Sequence, residues 1–357
     1  MDIPAYEELL KQIKINLWLT GIPYGESKIY LRFYGVFAAL ALMLISEISF
    51  FVSKISSENF LELMQLAPCI CIGVLSSLKI LAVAQKRVKI FKLTECLGKL
   101  YQNILTDARK RSLVRKDLVL LNILMKYFFI LNAVLISVYN FSTLVIIMYY
   151  YLTKNEVIFK LPYAVLLPFS TDSWLPWAAI YTHSVVCGFI CVLFYTTADG
   201  LYFVLTSHVC GNFAVISDII QSLDVNNVHI LADIVKEHQY ILKLGEDLED
   251  IFTAPNLFNV LVGSLEICAL GFNLTTGSWE RIPGCILFLL SVLLQILMMS
   301  VFGENIIRES AKIGNAAFLY KTLTNNCDVL FQIISTSWSY FTILRSVYTP
   351  PDKTRFD

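Results

Sequence analysis

Charge is what this sequence has least of. Only 16% of its 357 residues are Asp, Glu, Lys or Arg, whereas 57% are hydrophobic. An average soluble domain carries roughly 25% charged residues, so a soluble fold of this length could not hide so much apolar surface. Histidine is also scarce, with four residues. They are scattered, and no His/Glu or Cys/His group has metal-ligand spacing, nor does a Gly-rich phosphate loop follow a strand. No catalytic residue, no metal, no cofactor and no nucleic-acid partner is therefore expected, and the chain is not read as an enzyme. A disulfide framework is missing too. The nine cysteines, Cys69, Cys71, Cys96, Cys187, Cys191, Cys210, Cys268, Cys285 and Cys327, are odd in number and fall mostly inside apolar runs, where they read as small buried hydrophobes. A cleavable signal peptide is not expected either, because the first 31 residues carry several charges. The first long apolar run, from near Phe33, reads as an anchor that stays in the chain.

What is abundant is apolar runs long enough to cross a bilayer, which takes about 20 helical residues. Candidate spans are 33–52, 60–83, 127–151, 175–202, 257–272, 282–302 and 329–347. The expected fold is all-α, a polytopic seven-helix transmembrane bundle over 33–347 with cytoplasmic helical extensions at about 203–256 and 303–328. A cytoplasmic segment, 1–32, precedes it and an extracellular tail, 348–357, follows. Aromatic residues cluster where lipid headgroups should lie: Tyr30, Phe33 and Tyr34, then Tyr149, Tyr150 and Tyr151, then Trp174 and Trp177. No internal repeat or low-complexity linker is present, which argues against two inverted transporter halves.

Orientation follows from Lys and Arg, which accumulate on the cytoplasmic side. The amino-terminal segment and the connections between spans two and three, four and five, and six and seven hold 20, whereas the opposite side holds seven. The amino terminus is thus expected inside and, with seven spans, the carboxyl terminus outside. The sequon at Asn273-Leu274-Thr275 falls on the outer side, making Asn273 a candidate glycosylation site. A second match, at Asn140, lies within a span and should stay unmodified.

Glu47, Lys79 and Glu266 sit at membrane depth. There a charge either marks an ion or substrate path or is relieved by snorkelling and local pairing. In the last span Ser335, Ser339, Thr342 and Ser346 recur at spacings of four, three and four, lining one helical face, with Ile343 and Val347 beside them. That stripe reads either as the polar wall of a pore closed by apolar side chains or as hydroxyls bonded to helix carbonyls. Between spans four and five an amphipathic helix places Ile234, His238, Ile241, Leu248 and Phe252 on one face, with Asp233, Glu237, Glu246 and Glu249 elsewhere. Its acidity suits a partner helix better than an anionic lipid surface.

Two stretches, Phe302-Gly303-Glu304-Asn305-Ile306-Ile307-Arg308-Glu309-Ser310 and Ser339-Tyr340-Phe341-Thr342-Ile343-Leu344-Arg345, resemble the insect odorant receptors, and the likeness runs from the first span to the last. The resemblance implies a subunit of a ligand-gated, nonselective cation channel in the plasma membrane of olfactory sensory neurons. It further implies a heterotetramer with the obligate co-receptor, surrounded by membrane lipids. In that reading the seventh helices form the pore, with the apolar gate at Ile343 and Val347. Small volatile odorants would bind in the outer half of the bundle. Candidate lining residues are Met64, Tyr139, Thr143, Tyr150, Trp177, Tyr181, Ser184 and Phe288, although aromatics at helical spacing also serve as ordinary packing.

The chain departs from the family pattern between Phe318 and Val329, where a further helix is usual, and weaker assembly with the co-receptor is the expected consequence. A short linker at Lys321 to Cys327 would be the harmless alternative. A gustatory-type receptor of the same superfamily fits less well, because the Ser339-Tyr340-Phe341-Thr342 run is closer to the odorant branch. A G-protein-coupled receptor is opposed by the charge asymmetry, and by the lack of an Asp-Arg-Tyr-like triplet and of Asn-Pro-x-x-Tyr. The topology predicts that an antibody reaches an amino-terminal epitope only in permeabilised cells and a carboxyl-terminal epitope in intact ones. Access to both from the same side would rule it out.

Overall fold

The computed structural model describes residues 3–26, 28–55, 60–223, 230–276 and 282–324. Their regular elements are α1 (Tyr6–Thr20), α2 (Leu31–Ser53), α3 (Phe60–Thr106), α4 (Ala108–Lys154), α5 (Trp174–Gln221), α6 (Leu231–Thr276) and α7 (Ile282–Thr324). Helices α2 to α7 are each long and apolar enough to cross a membrane. The seventh expected span, 329–347, lies outside the described residues.

The helices are much longer than the apolar runs inside them. α3 and α4 have 47 residues each and α5 has 48, about 70 Å at 1.5 Å per residue. A hydrocarbon layer is about 30 Å thick, so roughly half of each helix stands outside it. The charged stretch between spans two and three is therefore an antiparallel helix pair. α3 runs on to Thr106, a single residue intervenes, and the Asp107 carboxylate caps α4 by accepting from the amides of Arg109 (2.8 Å) and Lys110 (3.4 Å). The amphipathic stripe between spans four and five is likewise the first half of α6. Ile234, His238, Ile241, Leu248 and Phe252 are all buried, and the main partner helix is α3. Lys86 and Lys89 of α3 pair with Asp250 (2.7 and 3.0 Å), and Lys89 also pairs with Asp247 (2.8 Å). These ammonium groups hold the Asp250 carboxyl below the usual range. The ions are half exposed, so the apolar stripe supplies most of the stability.

Outside the apolar runs the helices make a layer with a conventional core. Phe203, Leu205, Val209, Phe213 and Ile216 of α5 are fully buried, and α1 covers one side with Leu10, Ile13 and Leu17 at helical spacing. The Tyr6 hydroxyl donates to the Thr94 carbonyl (2.6 Å) and that of Tyr101 to the Pro4 carbonyl (2.7 Å). The His208 ring stands edge-on to both, at 4.7 and 5.1 Å, and burial pushes its pKa down to about 3. It is a neutral ring packed as an aromatic. α1 ends at Gly21, whose φ of +88° places it in the left-handed region; a Cβ there would lie 2.6 Å from the Phe33 nitrogen. Only glycine fits this sharp passage into the first span.

Two of the expected interfacial aromatics turn inward. Phe33 is buried against Phe37 and Phe194, and Trp177 stacks on Tyr181 at 5.1 Å. Tyr30, Tyr34, Tyr149, Tyr151 and Trp174 are exposed, as headgroup anchors should be. Of the eight cysteines among the described residues all are free thiols. Cys187, Cys191 and Cys210 are buried, whereas Cys268 is exposed and departs from the expected pattern.

Where the spans give way to the layer, a buried polar network joins four helices. Lys79 of α3 forms an ion pair with Asp199 of α5 at 2.9 Å, both almost wholly excluded from solvent, and its ammonium lies 3.9 Å from the centre of the Tyr195 ring. Asp199 also accepts from Gln295 of α7 (2.8 Å) and Asn259 of α6 (3.4 Å). Gln295 donates to Asn259 (2.9 Å) and accepts from the Tyr195 hydroxyl. Local pairing thus accounts for Lys79. Removing one member of such a pair strands a charge, at a cost of about 3–5 kcal/mol. Lys79→Met is therefore expected to lower the thermal stability of the purified chain markedly. Lys79→Met with Asp199→Asn, which keeps an acceptor for Gln295, should regain most of the loss. Equal melting of wild type and Lys79→Met, followed by size-exclusion fluorescence, would contradict this.

Candidate functional site

A cavity opens between α2, α3, α4, α5 and α7, in the part of the bundle nearest the 155–173 connection. Helical periodicity delivers its wall. α2 supplies Leu40, Met43, Leu44 and Glu47, α3 supplies Cys69, Ile72 and Gly73, and α4 supplies Leu135, Ile136 and Tyr139. α5 adds Cys187, Gly188, Cys191 and Val192, and α7 adds Phe288. Steps of three and four along each helix return side chains to one face.

The remaining wall comes from a connection rather than a helix. Tyr163 folds down from 155–173, stacks on Tyr139 at 5.4 Å, and donates to the Asn140 side-chain oxygen at 2.9 Å. The connection is pinned further by the Ser46 hydroxyl donating to the Leu166 carbonyl (2.7 Å), the Leu166 amide donating to the Ser46 carbonyl (3.2 Å), and the Trp177 indole donating to the Lys160 carbonyl (2.9 Å). Gly188 makes room for this lid, because a Cβ there would lie 2.6 Å from the Tyr163 hydroxyl and 3.0 Å from Ile136. A second, smaller cavity lies against the lid. Glu47, Cys69, Tyr139 and Tyr163 line both.

The wall is mostly apolar, and its polar groups are largely committed. The Tyr139 hydroxyl lies 2.9 Å from the Cys69 sulfur, and Cys191 lies 3.0 Å from the Ser76 hydroxyl. Glu47 has neither a hydrogen bond nor an ion pair among the described residues, although only 5% of its surface is exposed. Glu266, elsewhere in the bundle, is fully buried with both carboxyl oxygens unpartnered among those residues. Among the described residues no group of three or more His, Cys, Asp and Glu is placed to hold a metal ion. The arrangement is suited to holding an apolar molecule with one polar group.

Of the residues expected to bind ligand, Tyr139 and Phe288 line the cavity. Tyr181 stands behind it, its hydroxyl donating to the Asn140 carbonyl at 2.8 Å, with Trp177 stacked on it. Ser184 and Thr143 are buried outside the lining, and the Ser184 hydroxyl has no partner among the described residues. Tyr150 is half-buried with Lys154 over its ring at 4.6 Å. The Met64 carbonyl accepts from the Asn273 side-chain nitrogen at 2.9 Å. Asn273 itself is buried at the end of α6, so a glycan on that nitrogen would have to displace this bond. The pore and gate candidates Ser335, Ser339, Thr342, Ile343, Ser346 and Val347 lie outside the described residues. Sequence reasoning singled out Glu47 only as a charge at membrane depth and left out the rest of the α2 wall, although 40, 43, 44 and 47 carry the periodic signal. It also left out Tyr163, for which no sequence signal exists.

The family model described as 7tm Odorant receptor matches residues 59–322. Odorant receptor 67c of Drosophila melanogaster is 22% identical over 361 residues, covering 90% of this chain and 89% of that protein. The solved structure of the insect olfactory receptor OR5 from Machilis hrabei has a similar fold, with a TM-score of 0.71 at 14% identity over 96% of this chain and 97% of that one. The same receptor in complex with eugenol gives 0.63 at 15% identity, over 96% and 100%. Since the family model covers well over half of its length, this multi-pass membrane protein belongs to the 7tm odorant receptor family, a class of receptors and not of enzymes.

Proposed function

We propose that this chain is an odorant receptor subunit that binds small volatile molecules in the cavity beneath Tyr163 and, with the obligate co-receptor, gates a nonselective cation channel. The observation that carries the reading is the cavity itself, lined by five helices and Tyr163 with a mostly apolar wall, in a member of the odorant receptor family. The fold-related receptor in complex with eugenol gives independent support for a small aromatic ligand in a bundle of this type. The charge asymmetry favours a cytoplasmic amino terminus and an extracellular carboxyl terminus. The cavity would then lie in the outer half of the membrane and the helical layer in the cytoplasm. The pore would be built by 329–347, with Ile343 and Val347 as the gate and Ser335, Ser339, Thr342 and Ser346 along its wall. The shortened stretch after Phe318 belongs to this proposal as well: co-receptor tetramers should form less readily than with a relative that carries the additional helix.

Whole-cell recording with the co-receptor tests the channel. Odorant currents should persist when G-protein signalling is blocked, and Ile343→Ser or Val347→Ser should raise basal current by easing wetting of the gate. Currents abolished by the block would refute it. Gly188→Leu should displace Tyr163 and fill the cavity, raising the half-maximal odorant concentration about tenfold or more at unchanged surface expression, which corresponds to about 1.4 kcal/mol. An unaltered dose–response curve would remove the cavity from ligand binding.

A further inference from the structure

We infer that the polar group recognised in this cavity is an ammonium, so that the ligand class is a small volatile amine with an apolar body, and that Glu47 is its counter-ion. The inference rests on reading the cavity as the odorant site. Glu47 is the sole carboxyl group among the described lining residues and is 5% exposed. An ionised carboxyl in apolar surroundings needs a counter-charge and hydrogen-bond donors, and the described residues provide neither. Lys79, a buried cation of the same bundle, is committed to Asp199 at 2.9 Å. The other polar groups of the wall are engaged with one another or with the backbone: Tyr139 with Cys69, Tyr163 with Asn140, and Cys187 with the Ala39 carbonyl at 3.5 Å. A buried carboxyl without such a partner neutralises instead, so the ligand group that would let Glu47 carry its charge is a cation with donors.

A second observation points to the same chemistry. Tyr139 and Tyr163 form a stacked pair, 5.4 Å between ring centres, on the wall they share with Glu47. Aromatic faces beside a carboxylate attract an ammonium through the ring quadrupole, while a neutral alcohol or ketone gains little from them. The position of Glu47 adds to this. It lines both the main cavity and the smaller one against the 155–173 lid, so a ligand whose cation sits at Glu47 can place its apolar body against Phe288 and Leu135 of the same wall. A charge-assisted hydrogen bond is roughly twice as strong as a neutral one, which makes the head group the discriminating feature and leaves the body to shape.

The test uses the purified full-length chain in detergent and three ligands of one skeleton: 2-phenylethylamine, 2-phenylethanol and phenylacetaldehyde. Binding is measured by calorimetry or tryptophan fluorescence. The amine is expected to bind about tenfold or more tightly than the alcohol or the aldehyde, and Glu47→Gln, eluting as a monodisperse species, should bring the amine-to-alcohol ratio to about one. A wild-type ratio near one overturns the inference, whether or not the variant folds. So does a Glu47→Gln variant that keeps the amine preference. In both cases saturable alcohol binding would leave the odorant cavity standing. If none of the three ligands saturates wild type, and Gly188→Leu behaves identically, the cavity reading fails and the ammonium site fails with it.

Discussion

The ion pair between Lys79 and Asp199 sits where the apolar spans become an extramembrane helical layer, and the bundle is organised around it. Packing within a bilayer has no hydrophobic drive, since lipid tails are as apolar as the side chains they would replace. Helices there are specified by close contact and by polar groups that cannot remain unpaired. Asp199 takes a cation from α3, an amide from α6 and an amide from α7. It thereby fixes the register of three long helices against the fourth, at one level. Each of these helices runs on for several turns into the layer, so a slip of one residue here would misplace every core contact beyond it.

The same helices carry the cavity wall, and the steps between the two sites are short. Along α5, Cys191 lines the cavity, Tyr195 lies under the Lys79 ammonium and Asp199 accepts its charge, successive positions one turn apart. Along α3, Ser76 contacts Cys191 at 3.0 Å one turn before Lys79. On α7, two turns separate Phe288 of the wall from Gln295 of the network. A molecule that spreads the cavity wall must therefore either leave the network intact and bend side chains, or tilt α5 and α7 and strain hydrogen bonds that have no water to replace them. Interiors packed at this density respond to such a push in discrete steps rather than by gradual deformation.

What the sequence disclosed depended on how local the cause was. The apolar runs identified α2 to α7 because crossing a bilayer is a property of about 20 consecutive residues, and the stripe from Ile234 to Phe252 was readable because its period is 3.6. Beyond the extensions expected at about 203–256 and 303–328, helix continuity through the charged stretch between spans two and three was not readable: the α3 and α4 extensions are held by a tertiary core, and Asp107 marks their join with a single residue. Lys79 stood out as a charge at membrane depth, whereas nothing in the sequence ties it to its partner Asp199, 120 residues away near the end of another span. Tyr139 and Phe288, chosen by helical face, lie on the cavity wall, but the contribution of α2 and of Tyr163 follows from how distant segments meet. Single-sequence periodicity contains no such information.

The cavity also needs an explanation, since helices in a bilayer gain by closing gaps. Its wall is built from small side chains where helices face each other, Cys69 and Gly73 on α3 and Cys187, Gly188 and Cys191 on α5. None of these can reach across the gap. The larger residues that could fill it are held away: the Tyr163 hydroxyl is drawn to Asn140, and Tyr139 is drawn to Cys69 and stacked beneath Tyr163. The empty volume forfeits dispersion contacts on every side, and collapse is resisted because α3, α5 and α7 are tied together in the polar network below and α2 is tied to the lid through Ser46 and Leu166. A rigid frame at one end and a hydrogen-bonded lid at the other hold open a space that packing alone would close, and Glu47 stands at the edge of that lid.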